Sequence, residues 1–208
     1  MDRKECTDKA CPYCEGNDLR LLFAGGYHPF LKDHGPWDLF RCLTCGSLIT
    51  HPLPTSGQLA RLYDSFEGGM IPGIRHIRDA YPLDAWFRQC MEHALRHSGR
   101  TKDKDQVFFW TDLGAGAGEM SALMAREFPH ARGVAMDVSA RPARLDGVDR
   151  VDWLRIDPSV DPDPGRKSDL ALSITVVEHL PAPDISLRKW LGGLSTGGCL
   201  YLTSPRAD

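Results

Sequence analysis

The stretch Thr111-Asp112-Leu113-Gly114-Ala115-Gly116-Ala117-Gly118-Glu119 decides how this chain is read. The short apolar run Val107–Trp110 leads into it and the amphipathic segment Gly118–Phe128 follows, so the order is strand, glycine turn, helix. Glycines let the backbone turn sharply and let a ligand approach it closely. The helix that follows presents N–H groups with no partner inside the helix. Asp112, Gly114, Ala115, Gly116 and Gly118 are therefore candidate ligand-binding residues.

The spacing separates two ligand classes. Dinucleotide sites favour Gly-x-Gly-x-x-Gly, with a pyrophosphate at the helix N-terminus. Here glycines alternate at 114, 116 and 118, and Glu119 stands where that pattern needs its third glycine. A carboxylate there would face the pyrophosphate, which disfavours a nicotinamide-dependent oxidoreductase.

Downstream, strand-like and helix-like runs alternate. Strands are expected at Gly133–Met136, Val151–Ile156, Asp169–Ile174 and Cys199–Thr203, which together with the first strand predicts a mainly parallel α/β sheet of about five strands. Open parallel sheets bind ligands outside the carboxyl ends of their strands. Asp137, with Val138 beside it, ends the second strand and can accept both hydroxyls of a ribose; the competing reading is an Asp that forms a turn with Ser139. Asp157 ends the third, in an Asp-Pro pair that is also a plain turn signal. Thr175, Val176, Glu178 and His179 follow the fourth strand and fall near any donor and acceptor. Two readings of His179 stand: a general base with a pKa near neutral, or a structural residue of the loop, which is favoured. His28, His34 and His76 are weaker base candidates.

Upstream, Leu59, Leu62, Tyr63 and Phe66 share one face of a helix capped by Thr55 or Ser56 and ended by Gly68-Gly69. A second helix is expected over Leu83–His97, followed by a solvated linker at Gly99–Asp105. The chain thus divides into 1–54, rich in cysteine and turn residues, a helical connector or lid over 55–105, and the α/β domain over 106–208.

The 208 residues carry seven cysteines, and four form two hooks, Cys11-Pro-Tyr-Cys14 and Cys42-Leu-Thr-Cys45. Two thiolates at this spacing chelate one ion, and two hooks make a tetrahedral four-cysteine zinc site that is structural, because protein fills every position. The alternative is a pair of redox hooks, disfavoured by the lack of a surrounding βαβ frame. Cys6 lies near the first hook, and Cys90 and Cys199 sit in core-like settings. The apolar content of 42% and charged content of 25% suit a globular protein, and a net charge of −3 argues against nucleic acid as partner. No run of about 18 to 20 apolar residues points to a membrane, and no secretory leader is evident, so the cytoplasm is the expected compartment.

The Asp-x-Gly-x-Gly-x-Gly form resembles motif I of class I S-adenosylmethionine-dependent methyltransferases, and Asp169-x-x-x-x-x-x-x-Val177-Glu178-His179-Leu180 resembles a later motif of that family, with the likeness continuing through Leu191–Pro205. Hooks of this kind followed by Pro52-Leu-Pro54-Thr55 and Leu59-Ala-Arg-Leu-Tyr63 are similar to bacterial members with an N-terminal zinc-ribbon-like module, often associated with natural-product, sugar or cell-envelope modification. The resemblance implies a Rossmann-like doubly wound fold. It implies that Asp112 serves the amino-acid tail of the donor, that Asp157 meets the adenine amino group, and that Ile156 packs on the ring. It implies methyl transfer from S-adenosylmethionine to oxygen, nitrogen or carbon of a small-molecule acceptor. The family has seven strands, the last two a hairpin, whereas the sequence stops after the fifth. A truncated member that binds the donor without catalysis is the alternative, and a homodimer or partner chain is expected over the open sheet edge. The helix usual after the third strand is expected to be missing, since 161–167 is rich in Pro, Asp and Gly.

Overall fold

The computed structural model describes residues 10–26, 36–53, 55, 57–58, 83–100, 105–160, 163–180 and 182–204. The chain divides into two compact units, Met1–Ile71 and Pro72–Asp208. The first holds an antiparallel sheet in which β1 (Leu19–Gly26), β2 (Trp37–Cys42) and β3 (Leu48–His51) lie in sequence order. Among its described residues, Cys11, Cys42 and Ile49 form an apolar cluster with Leu19 packed against them, and Phe40 is buried as well. The N–H of Gln58 bonds the Thr55 hydroxyl at 3.3 Å and the Thr55 N–H bonds the Gln58 side-chain oxygen at 2.6 Å. This reciprocal pair satisfies two backbone donors at a helix start. The apolar face expected at Leu59, Leu62, Tyr63 and Phe66 lies outside the described residues.

Among the described residues, the second unit holds α1 (Leu83–His97), β4 (Phe109–Leu113), α2 (Glu119–Glu127), β5 (Arg132–Asp137), β6 (Val151–Arg155), β7 (Ser168–Ile174), α3 (Pro183–Gly192) and β8 (Leu194–Thr203). The five strands form one wholly parallel sheet in the order β6-β5-β4-β7-β8. The chain enters at the centre with β4, moves out to β6, then crosses to β7 and β8. The order reverses between β4 and β7, and it is outside that point that doubly wound sheets bind their ligands.

Every residue of β4 is buried, as befits a central strand covered on both faces. Side chains alternate across it. Trp110 packs with Met91, Leu95, Met120 and Met124, under α1 and α2, while Phe109 and Leu113 pack with Trp190 of α3. Each large apolar side chain buried this way contributes about 1.5–3 kcal/mol. Gly133 on β5 is required by Trp110: a Cβ there would lie 2.2 Å from the indole ring.

The expected parallel five-stranded architecture is present, with two differences in extent. β4 begins at Phe109, and Val107 is exposed because it precedes the sheet. β8 begins at Leu194 rather than Cys199. Its register shifts between the pairs Ser168–Leu194 and Leu170–Cys199, so Ser195–Gly198 bulge from the edge strand. Gly197 takes a φ of 76°, and a Cβ on Gly198 would lie 2.8 Å from the Ser168 carbonyl. Gly197 and Gly198, which precede the strand expected at Cys199–Thr203, make the bulge possible. Between β5 and β6 there is a single 3-10 turn, Ala143–Leu145, and no helix occurs among the described residues between β6 and β7.

Candidate active site and cysteine cluster

β4 ends in the glycine loop. The N–H groups of Gly114 and Ala115 both reach the Met136 carbonyl, at 2.9 and 3.0 Å, so the loop leaves the sheet bound to the end of β5. Gly114, Gly116 and Gly118 all have positive φ, of 76°, 52° and 76°. The three differ in their surroundings. A Cβ on Gly114 would strike the Val176 side chain at 2.6 Å, and one on Gly118 would press on Pro142 and Leu145 at 3.0 and 3.2 Å. A Cβ on Gly116 would meet nothing within 4 Å. The loop is thus held at both ends and open at its centre. Ala115 turns its side chain into the core shared by α1 and α2.

The acids expected at the strand ends have specific partners. Asp112 is 2% exposed and accepts a 2.6 Å hydrogen bond from the Ser121 hydroxyl on α2. Burial pushes its carboxyl up to about 7; the Ser121 hydroxyl opposes this, and the negative charges of Asp137 and Glu119 add to it. Asp137 lies beside the open centre of the loop. Its Oδ2 accepts from the Gly116 N–H at 2.8 Å, and its Oδ1 accepts from the N–H and hydroxyl of Ser139 at 3.0 and 2.6 Å. The turn with Ser139 is therefore present, together with a latch onto the loop. Val138, half-buried, accepts from the Arg155 guanidinium at 3.0 Å. Asp157 forms the same kind of turn, accepting from the Ser159 N–H and hydroxyl at 2.9 and 2.6 Å, with Ile156 packed in the core beneath α3. Glu119 pairs with Arg144 at 3.3 Å.

Across the switch point, β7 ends at Ile174 and the chain turns at Thr175, a β-branched residue with a φ of 53°. Its hydroxyl donates to the Ile174 carbonyl at 2.7 Å. Val176 packs on Gly114, and a 3-10 turn covers Val177–His179. His179 is exposed, with its Nε2 4.0 Å from the Glu178 carboxylate. Of the four histidines considered as bases, His28, His34 and His76 lie outside the described residues.

In the first unit, the Sγ atoms of Cys11, Cys14, Cys42 and Cys45 all lie within 4.8 Å of one another, with Cys11–Cys45 at 3.7 Å and Cys14–Cys42 at 3.6 Å. Four sulfurs about 2.3 Å from a tetrahedral zinc ion stand about 3.8 Å apart, so the set fits that metal. The two hooks fold alike. Glu15 N–H bonds the Cys11 carbonyl at 2.8 Å and Gly46 N–H bonds the Cys42 carbonyl at 2.9 Å, and both residues have positive φ, 58° and 80°. Hydrogen bonds between Cys45 and both the hydroxyl and the backbone of Ser47, the hydroxyl 3.2 Å from Sγ, pull the Cys45 thiol down to about 6, toward the thiolate that a metal needs.

Residues 111–200 match the family model described as a methyltransferase domain. The matched residues lie within the second unit and run from β4 into β8. Trans-aconitate 2-methyltransferase of Azoarcus sp. (strain BH72) is 35% identical over 97 residues, covering 46% of this chain and 38% of that protein. The chain therefore spans well under half the length of that relative. Two solved structures of the plantazolicin methyltransferase BpumL share the fold. One, with a pentazolic desmethylPZN analog and SAH, gives a TM-score of 0.52 at 17% identity over 71% of this chain and 58% of its own. The other, with SAH, gives 0.50 at 18% over 69% and 56%.

Several residues that shape these loops carry no local signal in the sequence. Ser121 is recognisable only once α2 packs back on β4. Trp190 and Lys189 of α3 donate to the carbonyls of Pro158 and Val160, each at 2.8 Å. Thr203 on β8 accepts from the Thr175 N–H through both its carbonyl and its hydroxyl, at 3.1 and 3.2 Å.

Proposed function

We propose that this protein transfers a methyl group from S-adenosylmethionine to a small-molecule acceptor, with the donor lying along Gly114–Gly118. The open centre of the loop at Gly116, directly beside the Asp137 carboxylate, carries this reading. A side chain is absent where a ligand must touch backbone, and an acid waits where a ribose would follow. Asp137 has one acceptor position left on Oδ2 beyond its three present bonds, which suits one ribose hydroxyl; a second takes the place of the Ser139 hydroxyl. Asp157 and Ile156 bound the adenine end, Val138 lines the ribose end, and Thr175 and Val176 cover the methionine end.

The donor supplies an electrophilic methyl on a sulfonium, so the protein contributes alignment and exclusion of water. The Asp137 carboxylate beside the open centre of the loop favours a cationic ligand over a pyrophosphate. His179 is exposed at the acceptor side and is the base where the acceptor must lose a proton. The four-cysteine cluster holds structural Zn²⁺, consistent with reduced thiols in a cytoplasmic setting.

Thermal unfolding with S-adenosylhomocysteine and, separately, NAD tests the reading. A ligand present at about 100 times its Kd stabilises the native state by about 2.7 kcal/mol. S-adenosylhomocysteine is expected to raise the Tm and NAD to leave it unchanged; the reverse pattern sinks the proposal.

A further inference from the structure

Thr175 has a backbone conformation that its side chain disfavours. A β-branched residue at a φ of 53° is a rare outlier that persists only where its surroundings hold it. The surroundings here are visible. In the β7–β8 ladder Ile174 stands opposite Thr203, and the Thr175 N–H then reaches both the carbonyl and the hydroxyl of Thr203. The ladder is thereby extended by one residue before the chain turns away. The turn delivers Val176 onto Gly114, in a contact so close that no side chain fits between them. The Thr175 hydroxyl is spent on the Ile174 carbonyl and points back into its own backbone.

We propose that Thr175 and Thr203 form a latch that sets Val176 as a fixed wall on the donor loop, with Thr203 a positioning residue that touches no ligand itself. This rests on the donor site proposed above and adds to it: Thr175 acts through its backbone angle rather than its hydroxyl, and the tip of the edge strand β8 governs the donor site. The strain is tolerated because the fixed geometry pre-organises the wall before the ligand arrives. A glycine at 175 adopts the same angle without strain but also many others, so the wall loosens.

The test is calorimetric titration of the full chain with S-adenosylhomocysteine, alongside ligand-free thermal unfolding, for wild type, Thr175→Gly, Thr175→Asn and Thr203→Val. Thr175→Gly is expected to melt within about 3 °C of wild type, since relief of strain offsets the added unfolded-state freedom. It is expected to bind S-adenosylhomocysteine about five- to twenty-fold more weakly. Thr203→Val, which removes one of the two acceptors, is expected to weaken binding in the same direction. Thr175→Asn, which tolerates positive φ and keeps a side chain, is expected to retain wild-type affinity. Wild-type affinity in both Thr175→Gly and Thr203→Val overturns the latch and leaves donor binding standing. A matched loss of Tm and affinity in Thr175→Gly that Thr175→Asn does not relieve also overturns it, because the residue is then merely structural. No binding by the wild type overturns the latch and the donor site together.

Discussion

Gly116 and Asp112 each illustrate how one residue's surroundings set its behaviour. At Gly116 a methyl group would project into open space at a φ of 52°. Gly116→Ala should therefore fold, at a cost of about 1–2 kcal/mol for the left-handed angle, and should lose S-adenosylhomocysteine binding because the methyl occupies the ligand's approach. Circular dichroism with titration calorimetry checks both halves; a variant that binds normally places the ligand elsewhere. Asp112 has a folded pKa of about 7, raised chiefly by burial. The raised value means the native state prefers the protonated carboxyl. The associated stability is full below the ordinary carboxylate range, falls as pH rises from about 4 to 7, and is gone above that, a change of up to about 4 kcal/mol. Asp112→Asn keeps an acceptor for Ser121 and removes the titration. Urea unfolding should show the variant gaining on wild type more at pH 8 than at pH 5; an equal offset at both would contradict the assignment. The glycines and the acids were legible in the sequence because strand, turn and helix follow one another locally. The uses of Asp137 by Gly116 and of Asp112 by Ser121 were not, because each joins residues from different elements.

Among the elements, α3 controls more than its own face of the sheet. Its Trp190, 2% exposed, donates through Nε1 to the Pro158 carbonyl, one residue beyond Asp157. Trp190→Phe keeps most of the ring but leaves that carbonyl without its partner, a loss of about 1–3 kcal/mol in a denaturant titration. Gly133→Ala should cost about as much, because the Cβ would enter the Trp110 indole in a core too dense to yield. An unchanged denaturation midpoint in Gly133→Ala would mean that Trp110 can move aside. The five strands could be read from apolar runs ending in acids. The bulge in β8 could not, since a glycine pair is equally at home in a turn before a strand, and only the pairing of Leu194 with Ser168 shows that the strand starts earlier. The positive φ of Thr175 has no sequence signal either, because Thr is among the residues least expected there.

At the scale of the whole molecule, the two units stand on different foundations. The parallel sheet of the second is buried on both faces by helices, whereas among the described residues of the first the clustered core is Cys11, Cys42 and Ile49, two of them cysteines of the cluster. A metal bound by those cysteines would tie this core together, so it is expected to contribute to the stability of the first unit. One zinc per chain is expected by elemental analysis. Chelation, or Cys42→Ser, should strip hydrogen-exchange protection from residues 19–51 and leave that of 109–203 intact; protection retained throughout after the metal is removed would contradict this. The hooks announced the cluster because their spacing is local, while the sheet that brings them together could not be read from turn-rich sequence. The central claim, that the backbone at 114–118 and the Asp137 carboxylate hold an adenosyl donor, is tested most directly by a crystal structure of the complex with S-adenosylhomocysteine. It should place the ribose hydroxyls on Asp137 and the amino-acid tail along the glycine loop. A ligand bound elsewhere, with Asp137 still engaged only by Gly116 and Ser139, would contradict it.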